Sequence, residues 1–171
     1  DVLSLVHEVI NRYRERIEER MLTVDVDLPT DLPLVEADPN RLRLILDNLL
    51  SNAIKFTYPD GRIIVGCRAI YGTLGQPTYF SIWVSDTGVG IPLDEQALIW
   101  QRFYRVENPL SLEAGGLGIG LTITKALVEA HSGRVWVDST PEHGSTFTVL
   151  LPIKRGQGAE AGLGAKCEQA S

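Results

Sequence analysis

The chain has 171 residues, of which 44% are apolar, so it is long enough and apolar enough to form one packed domain. Its 22 acidic and 16 basic side chains give a formal net charge of −6. Proteins that bind nucleic acid through its phosphates usually carry a positive net charge, so we expect no nucleic-acid partner. The apolar runs are too short for a membrane-spanning helix, which predicts a cytoplasmic domain without direct membrane contact.

Hydrophobic periodicity predicts two helices and three strands in the first half of the chain. Apolar residues recur at intervals of three and four over residues 1–20, which is typical of a helix. Leu22–Leu28 alternates strictly between apolar and polar residues, as a half-buried strand does. A second helix is expected from Pro39, a residue type favoured at the first helical position, to about Thr57. The runs Arg62–Ile70 and Tyr79–Ser85 then predict two strands joined as a hairpin.

The second half of the chain alternates turns, one helix and two closing strands. The predicted elements are a glycine turn at Asp86–Pro92, a partly helical segment at Leu93–Arg105, a loop at Val106–Gly118, a helix at Ile119–His131, and strands at Arg134–Ser139 and Thr146–Ile153. Residues 154–171 are rich in glycine, alanine and polar residues, which predicts a flexible tail. Helices interspersed with hairpin strands predict an α/β sandwich, with helices covering one face of an antiparallel-rich sheet.

Polar side chains form a strip along the second predicted helix. Asn48, Asn52 and Lys55 recur at steps of four and three, which places them on one side of the helix beside its apolar stripe. Asparagine is a weaker helix former than alanine, so two of them in mid-helix suggest a ligand. Amide oxygens suit Mg²⁺, which takes its other ligands from water and phosphates, and Lys55 could then meet a phosphate. The alternative for this strip alone is a solvated helix flank.

A glycine turn that begins with a carboxylate follows the third predicted strand, in the sequence Asp86-Thr87-Gly88-Val89-Gly90. Glycines two apart allow a sharp turn and the close approach of a flat ligand. A carboxylate at a strand end could accept a hydrogen bond from an exocyclic amine such as that of adenine. For this string alone, an Asx-capped turn without a ligand is the commoner explanation.

A second glycine-rich stretch, GGLGIGL at residues 115–121, leads directly into the last predicted helix. The free backbone N–H groups and the positive dipole end of a helix N-terminus attract anions. The stretch lacks the GxxxxGK[ST] pattern of a P-loop and the GxGxxG pattern of a dinucleotide site. A mobile linker is the alternative, although a linker seldom continues at once into an amphipathic helix.

Together, these motifs resemble those of the catalytic, ATP-binding domain of two-component sensor histidine kinases, in the wider group that includes type II topoisomerase and heat-shock-90 ATPases. The matching stretches are NLLSNAIKFT (48–57) for the N box, DTGVGI (86–91) for the first glycine box, FYR (103–105) for the F box, GGLGIGL (115–121) for the second glycine box, and GSTFTVLLP (144–152) for the final strands. The resemblance covers about residues 3–153, and five matches in order make coincidence a poor explanation.

The resemblance implies a Bergerat fold, which is an α/β (α+β) two-layer sandwich with a mixed, mostly antiparallel sheet covered on one face by three helices. ATP and Mg²⁺ would lie between the helices and a lid. The chain would then have three parts. A helix at 1–20 would lead in from a dimerisation domain outside this chain, residues 21–153 would form the ATP-binding catalytic domain, and residues 154–171 would form the tail.

The resemblance also assigns roles to individual residues. Asn52 would be the main Mg²⁺ ligand, with Asn48 close to the metal or the phosphates. Lys55 would meet the phosphates, Asp86 would bind the adenine amine, and Arg105 would contact the γ-phosphate. Further ATP contacts are implied for the lid anchor Phe103, for the pocket support Thr146, and for Gly88, Gly90, Ile91, Gly116, Leu117, Gly118, Gly120 and Leu121.

The reaction implied by the resemblance is phosphoryl transfer. In ATP-hydrolysing relatives a glutamate stands at the position of Asn48, whose amide cannot act as a general base at neutral pH. We therefore expect slow hydrolysis, with transfer of the γ-phosphoryl group to a histidine on the dimerisation domain and a response regulator downstream in a phosphorelay. The isolated domain is expected to be inactive without that acceptor, and its parent could be a cytoplasmic or a membrane-bound sensor.

Three alternatives to this function stay open. The lid segment Val106–Ala114 has no Lys or Arg, and Leu117 stands where a threonine is common in the family. A non-catalytic nucleotide-binding or docking module with a degenerate lid is therefore one alternative. An anti-sigma-type serine kinase on the same fold is a second, and it is disfavoured by the form of the N box. A dinucleotide-binding oxidoreductase is the third, disfavoured by the glycine pattern.

Overall fold

The computed structural model describes residues 2–29, 38–111 and 115–153, which form a five-stranded sheet packed against helices. The strands are β1 (Thr23–Asp27), β2 (Arg62–Tyr71), β3 (Pro77–Asp86), β4 (Arg134–Thr140) and β5 (Gly144–Pro152). The helices are α1 (Val2–Arg12), α2 (Arg14–Glu19), α3 (Pro39–Phe56) and α4 (Gly120–Ala130), with one 3-10 turn at Leu98–Trp100.

The order of elements confirms the order predicted from the sequence, with differences at some boundaries. The first predicted helix is divided at Tyr13, which lies between α1 and α2. In the segment predicted to be partly helical, Leu93–Arg105, the helical part is the single 3-10 turn. The predicted tail at 154–171 and most of the predicted connector between Pro29 and Pro39 lie outside the described residues.

The sheet is mixed and mostly antiparallel, as predicted. Its strand order is β1-β2-β3-β5-β4, in which β1 pairs with β2 in parallel and the other three pairings are antiparallel. Parallel neighbours need a crossover connection, and α3 lies in the connection between β1 and β2.

One face of the sheet is buried against the helices. Ile63, Val65, Ile82, Val84 and Val149 point to this face and are at most 2% exposed. They alternate with more exposed residues along each strand, because successive side chains in a strand point to opposite faces. Together with the buried helix residues, they form one continuous core.

The opposite face of the sheet carries an aromatic side chain at its centre. The Trp83 ring lies across Gly66, where an added Cβ would come within 2.2 Å of the ring. The Arg68 guanidinium stacks on the same ring, 4.6 Å from its centroid. This face is therefore chemically distinct from the core face.

The central helix is α3, which contacts α1, α4 and β3. It begins where the sequence predicts, because Pro39 occupies its first position and the Asp38 carboxylate accepts a hydrogen bond from the Asn40 N–H at 2.9 Å. Leu46 and Leu49 on its apolar stripe are each 1% exposed. The predicted polar strip lies on the side that faces α4.

The first helix belongs to the same core. Leu5, Val6 and Val9 of α1 are buried in the cluster that includes the sheet residues. Arg12 at the end of α1 bonds to Asp47 of α3 at 2.6 Å. The predicted boundary at residue 20 therefore does not divide the packing, and the origin of this helix in a dimerisation domain stays a prediction.

Candidate functional site

A cavity of about 310 Å³ opens between α3, the turn that follows β3, and the start of α4. Most of the residues predicted for the site line it, although they are spread over the chain. These are Asn48, Asn52, Lys55, Asp86, Gly90, Ile91, Arg105, Gly116, Leu117, Gly118, Gly120 and Leu121. Gly88, Phe103 and Thr146 are the predicted residues that do not line the cavity.

In the wall of the cavity, the polar strip of α3 lies near the second glycine stretch. Asn52 and Lys55 are half-buried and have no hydrogen bond or ion pair with any residue in the described part of the chain. Lys55 lies beneath the glycine stretch, since an added Cβ at Gly116 would be 3.5 Å from the Lys55 Nζ. A cation and an amide that lack partners among the described residues, both in the cavity wall, can bind an anion and a metal ion.

Asn48, one turn before Asn52, has a different environment because it connects two helices. Its Nδ2 donates to the Gly120 carbonyl oxygen at 3.2 Å and lies 3.3 Å from the Thr124 Oγ1, both in α4. The amide nitrogen is thus occupied by protein partners. The amide oxygen is the atom of Asn48 that is left for a ligand.

The start of α4 lines the cavity next to the polar strip. Its N-cap residue is Ile119, whose apolar side chain makes no capping hydrogen bond. The N–H groups of the first helical turn have no partner within a helix, so they are suited to binding an anion in the cavity. The role of the glycine stretch as an anion site stays a prediction.

The side-chain atoms in the cavity wall indicate which kind of metal ion they could bind. Within residues 2–29, 38–111 and 115–153, no group of three or more His, Cys, Asp or Glu side chains could hold a metal. The available ligands are the amide oxygens of Asn52 and Asn48, which suit a hard cation that keeps several waters and shares phosphate ligands. The residues present therefore fit Mg²⁺ bound together with a phosphorylated ligand.

Asp86, the last residue of β3, also lines the cavity. It is only 8% exposed, and its Oδ1 accepts a hydrogen bond from the Gly88 N–H at 2.9 Å. Burial raises the pKa of Asp86 to about 6, although hydrogen bonds from the N–H groups of Gly88 and Ser145 act in the opposite direction. A buried carboxylate at a cavity wall is a strong acceptor for a ligand amine.

Gly88 and Gly90, in the turn that follows β3, pack against different parts of the structure. An added Cβ at Gly88 would lie 2.1 Å from the Phe56 carbonyl oxygen, so Gly88 allows the turn to pack on the end of α3. It lies behind the cavity wall, and the prediction that it admits the base is not supported by its position. Gly90 has a φ of 67° and lines the cavity, where an added Cβ would come within 2.0 Å of the Thr140 carbonyl oxygen.

Thr146, for which the resemblance implies an ATP contact, does not line the cavity, and its role stays a prediction. Thr146 points to the sheet face away from the helices, where its hydroxyl lies 2.8 Å from the Ser85 hydroxyl. Ser145 lines the cavity instead and contacts Asp86 through its backbone N–H. Strand alternation predicts this placement from the sequence. Phe147 is apolar and points into the core, and Ser145, two residues earlier, lies on the same face of the sheet.

Tyr104 and Arg105 of the F box line the cavity, whereas Phe103 does not. Phe103 is 71% exposed, and its N–H donates to the Gly118 carbonyl oxygen at 3.0 Å. Tyr104 lines the cavity, and its hydroxyl donates to Glu95 at 3.1 Å. The anchoring of the lid by the Phe103 side chain is therefore not seen, and the backbone pairing with Gly118 joins the two motifs.

Arg105 lines the cavity but its guanidinium has a protein partner. Its Nη2 donates to the carbonyl oxygen of Ser111, a residue that is 8% exposed. The same turn is closed by Asn108, whose Oδ1 accepts from the Leu110 N–H at 3.0 Å. Contact of Arg105 with a γ-phosphate, as predicted, would thus require this bond to be exchanged.

Several residues of the cavity were not predicted from the sequence. They include apolar wall residues and polar residues of the lid and strands: Ser51, Phe56, Val89, Ile99, Tyr104, Val106, Asn108, Ser111, Gly115, Ile119, Ser145 and Phe147. Eight of them lie inside the recognised motifs, namely Ser51, Phe56, Val89, Tyr104, Gly115, Ile119, Ser145 and Phe147. Ile99, Val106, Asn108 and Ser111 lie outside those motifs and come to the cavity through tertiary packing.

No helix among the described residues has both the length and the apolar content to cross a membrane.

Comparison with known proteins gives consistent matches. Residues 37–155 match the family described as histidine kinase-, DNA gyrase B-, and HSP90-like ATPase. The chain is 42% identical over 155 residues to the circadian input-output histidine kinase CikA of Synechococcus elongatus, covering 86% of this chain and 19% of CikA. It is 42% identical over 146 residues to the adaptive-response sensory kinase SasA of Trichormus variabilis, covering 85% of this chain and 35% of SasA. The chain therefore spans only about a fifth to a third of these relatives.

Solved structures agree with the sequence comparison. Full-length ShkA in complex with AMPPNP superposes with a TM-score of 0.78 at 29% identity, covering 91% of this chain and 31% of ShkA. The mycobacterial sensor histidine kinase MprB superposes with a TM-score of 0.73 at 28% identity, covering 89% of this chain and 94% of that one.

Proposed function

The chain belongs to the family of histidine kinase-, DNA gyrase B- and HSP90-like ATPases, and on this premise we propose that it is the ATP- and Mg²⁺-binding catalytic domain of a sensor histidine kinase. The observation that carries the proposal is the arrangement of the cavity. A buried carboxylate, an amide and a lysine that have no partner among the described residues, and the N-terminus of α4 all line one cavity. These groups are of the kinds that would bind the adenine amine, the metal ion and the phosphates of ATP. The AMPPNP complex of ShkA supports the assignment by similarity.

The adenine would lie beside Asp86. The Asp86 carboxylate would accept a hydrogen bond from the exocyclic amine, and apolar wall residues such as Val89, Ile91 and Phe147 would contact the ring faces. Gly90 would bring its backbone to the cavity wall beside the base, because the absence of a side chain lets the turn pack on the Thr140 carbonyl oxygen. A guanine base has a carbonyl oxygen where adenine has its amine, so a carboxylate at this position favours adenine.

The phosphates would lie between α3 and the start of α4. Asn52 would hold Mg²⁺ as the main protein ligand, with the Asn48 oxygen beside it, and Lys55 would neutralise phosphate charge. When bound, Mg²⁺ would neutralise charge on the β- and γ-phosphates and fix their geometry. Gly116, Leu117, Gly118, Gly120 and Leu121 would supply the backbone of the anion site.

We propose transfer of the γ-phosphoryl group to a histidine on a dimerisation domain. A nitrogen of that histidine would form the new bond to the γ-phosphorus while the bond to the β,γ-bridging oxygen breaks, ADP leaves with the electron pair and the histidine proton passes to solvent. Such transfer depends on positioning and charge neutralisation, for which Lys55 and a released Arg105 would serve. Asn48 offers no general base for water, which favours transfer over hydrolysis.

The proposed partners follow from this activity. The helix at 1–20 would connect the catalytic domain at 21–153 to the dimerisation domain, and a response regulator would receive the phosphoryl group afterwards. The SasA and CikA relatives are named as kinases, which supports this placement in two-component signalling.

Calorimetric titration with AMPPNP tests the binding part of the proposal. We expect binding that strengthens at least tenfold on adding Mg²⁺, and loss of that gain in the Asn52→Ala variant. Asn40→Ala is the matched control, because Asn40 lies on the same helix but outside the cavity. Absence of binding with and without Mg²⁺ in the unmodified chain would overturn the proposal.

A second function, nucleotide binding without transfer, is favoured by one observation. The Arg105 guanidinium is engaged with Ser111, and the segment Val106–Ala114 supplies no other cation. Incubation with γ-labelled ATP and a supplied histidine-containing dimerisation domain separates the two functions. Label on the acceptor histidine supports the kinase, and binding without any transfer supports the docking module.

A further inference from the structure

We propose that Thr124 is a positioning residue, whose buried hydroxyl holds the Asn48 amide so that its oxygen faces the metal and phosphate end of the cavity. The inference rests on the proposed function, because it concerns how Mg²⁺ and ATP are bound there. Thr124 lies in α4 and is not among the residues that line the cavity, so it would act on the ligand through Asn48. It also gives α3 and α4 a direct polar connection at the site.

The geometry places Thr124 in direct reach of Asn48. Thr124 is 0% exposed, and its Oγ1 lies 3.3 Å from the Asn48 Nδ2. The same Nδ2 donates to the Gly120 carbonyl oxygen at 3.2 Å, one turn earlier in α4. A single amide nitrogen, which has two hydrogens, thus has two acceptors on one helix.

These partners fix which way the amide points. The Gly120 carbonyl oxygen can only accept a hydrogen bond, so the reversed amide would bring two acceptor oxygens within about 3.2 Å of each other. The Asn48 oxygen must therefore point away from the carbonyl. Gly120 itself lines the cavity and an added Cβ there would be 3.4 Å from the Asn48 Oδ1, which places this oxygen beside the cavity wall.

The presence of threonine at position 124 indicates that its hydroxyl group makes a hydrogen bond. Threonine is a weaker helix former than alanine or leucine, and burial of its hydroxyl without a partner would cost free energy. Val128, one turn later on the same side of α4, is also 0% exposed and purely apolar. Packing alone would be satisfied by valine at position 124, so the hydroxyl is explained by its contact with Asn48.

A consequence is that metal binding and the position of α4 are linked. Asn48 offers its oxygen to the cavity while its nitrogen holds the first turn of the helix whose N–H groups would bind phosphate. A glutamate at this position could not donate to the Gly120 carbonyl oxygen. Asn48 therefore serves both as a ligand and as the connection that places the anion site of α4 opposite Asn52.

Two substitutions of nearly equal size test the role of the hydroxyl. Thr124→Val removes it and keeps the volume, whereas Thr124→Ser keeps it and removes a methyl group. We expect Thr124→Val to reduce the Mg²⁺-dependent gain in AMPPNP affinity about threefold to tenfold, the range for one hydrogen bond, with Mg²⁺-free affinity changed less than about twofold. Thr124→Ser should retain the gain. Equal losses in both variants, or no loss in Thr124→Val, would overturn the inference.

A double-mutant cycle separates positioning from general packing. If Thr124 acts through Asn48, Thr124→Val should lower the Mg²⁺-dependent gain in the unmodified chain but have no further effect in an Asn48→Ala background. Additive losses would contradict the inference. Thermal unfolding of each variant checks that the domain is folded. If the unmodified chain does not bind AMPPNP at all, the proposed function fails first, and that result differs from a failure of the role of Thr124 alone.

Discussion

The Asp86 carboxylate accepts a hydrogen bond from the Gly88 N–H at 2.9 Å, inside a turn that packs on the last residue of α3. The carboxylate is thereby held at the cavity wall, although burial disfavours its ionised form. Its position is thus set by contacts that lie outside the cavity. The ionised carboxylate that would bind a ligand amine therefore also lowers the free energy of unfolding of the domain.

Asp86→Asn should weaken nucleotide binding and stabilise the free domain. The pKa of Asp86 is raised from 3.8 to about 6, so ionisation at pH 7.5 costs the fold about 3 kcal/mol, of which an amide should recover about 1–3 kcal/mol. The amide keeps the acceptor for Gly88 but replaces the charged acceptor for the adenine amine. We expect AMPPNP affinity to fall at least tenfold while the urea midpoint rises. A fall in both quantities would mean that the carboxylate is needed for folding.

The pH dependence of binding should report the same group. Below about pH 6 Asp86 becomes protonated, so AMPPNP affinity should fall by up to about tenfold per pH unit. Titration of the Asp86→Asn variant over the same range gives the dependence that comes from phosphate and metal protonation. Identical profiles for the two proteins would show that Asp86 does not titrate in the binding range.

The stability of the free domain should change with pH in the opposite sense. Because the folded pKa of Asp86 lies above the unfolded value of 3.8, the folded state retains a proton between about pH 4 and 6 that the unfolded state has released. The contribution of Asp86 to the free energy of unfolding therefore falls as pH rises through this window. Urea unfolding at several pH values, with Asp86→Asn as the reference, measures this contribution. A difference between the two proteins that is constant from pH 4 to 6 would contradict it.

Ser145→Ala and Thr146→Val test the face assignment of β5. Each removes one hydroxyl from neighbouring positions, but only Ser145 lines the cavity. Its hydroxyl lies 2.9 Å from the Ser139 Oγ, which accepts a hydrogen bond from the N–H of Ile91 in the cavity wall. We expect AMPPNP affinity to fall severalfold in Ser145→Ala and to change less than about twofold in Thr146→Val. A loss of affinity in Thr146→Val but not in Ser145→Ala would instead support an ATP contact for Thr146.

Gly118→Ala and Gly115→Ala test the connection between the F box and the second glycine box. Both glycines have positive φ, so each alanine carries a backbone cost of about 1 kcal/mol. At Gly118 an added Cβ would also come within 2.7 Å of the Tyr104 carbonyl oxygen, whereas at Gly115 it would meet no described atom within 4 Å. We expect Gly118→Ala to lose clearly more nucleotide affinity than Gly115→Ala. Equal losses would mean that only backbone conformation matters at these positions.

Much of the fold and part of the site could be predicted from local pattern. The helical period fixes Asn52 and Lys55 on one side of α3 wherever that helix packs, and the glycine spacing fixes the turn after Asp86. Element boundaries were accurate where a cap or a turn marks them, as Asp38 does for α3. The family itself was recognisable from five ordered motifs, and the match over residues 37–155 confirms it.

By itself, the sequence determined the elements, their order and the polar strip, because these depend on neighbours along the chain. Only the tertiary structure decided which partner each side chain of the site has. Arg105 bonds to Ser111, and Asn48 bonds to Thr124, which lies 76 residues away. Side-chain direction depends on how helices and strands pack, and a contact between distant segments leaves no periodic signal in either one. The same packing brought the buried carboxylate of Asp86, the amide of Asn52 and the N-terminus of α4 to a single cavity.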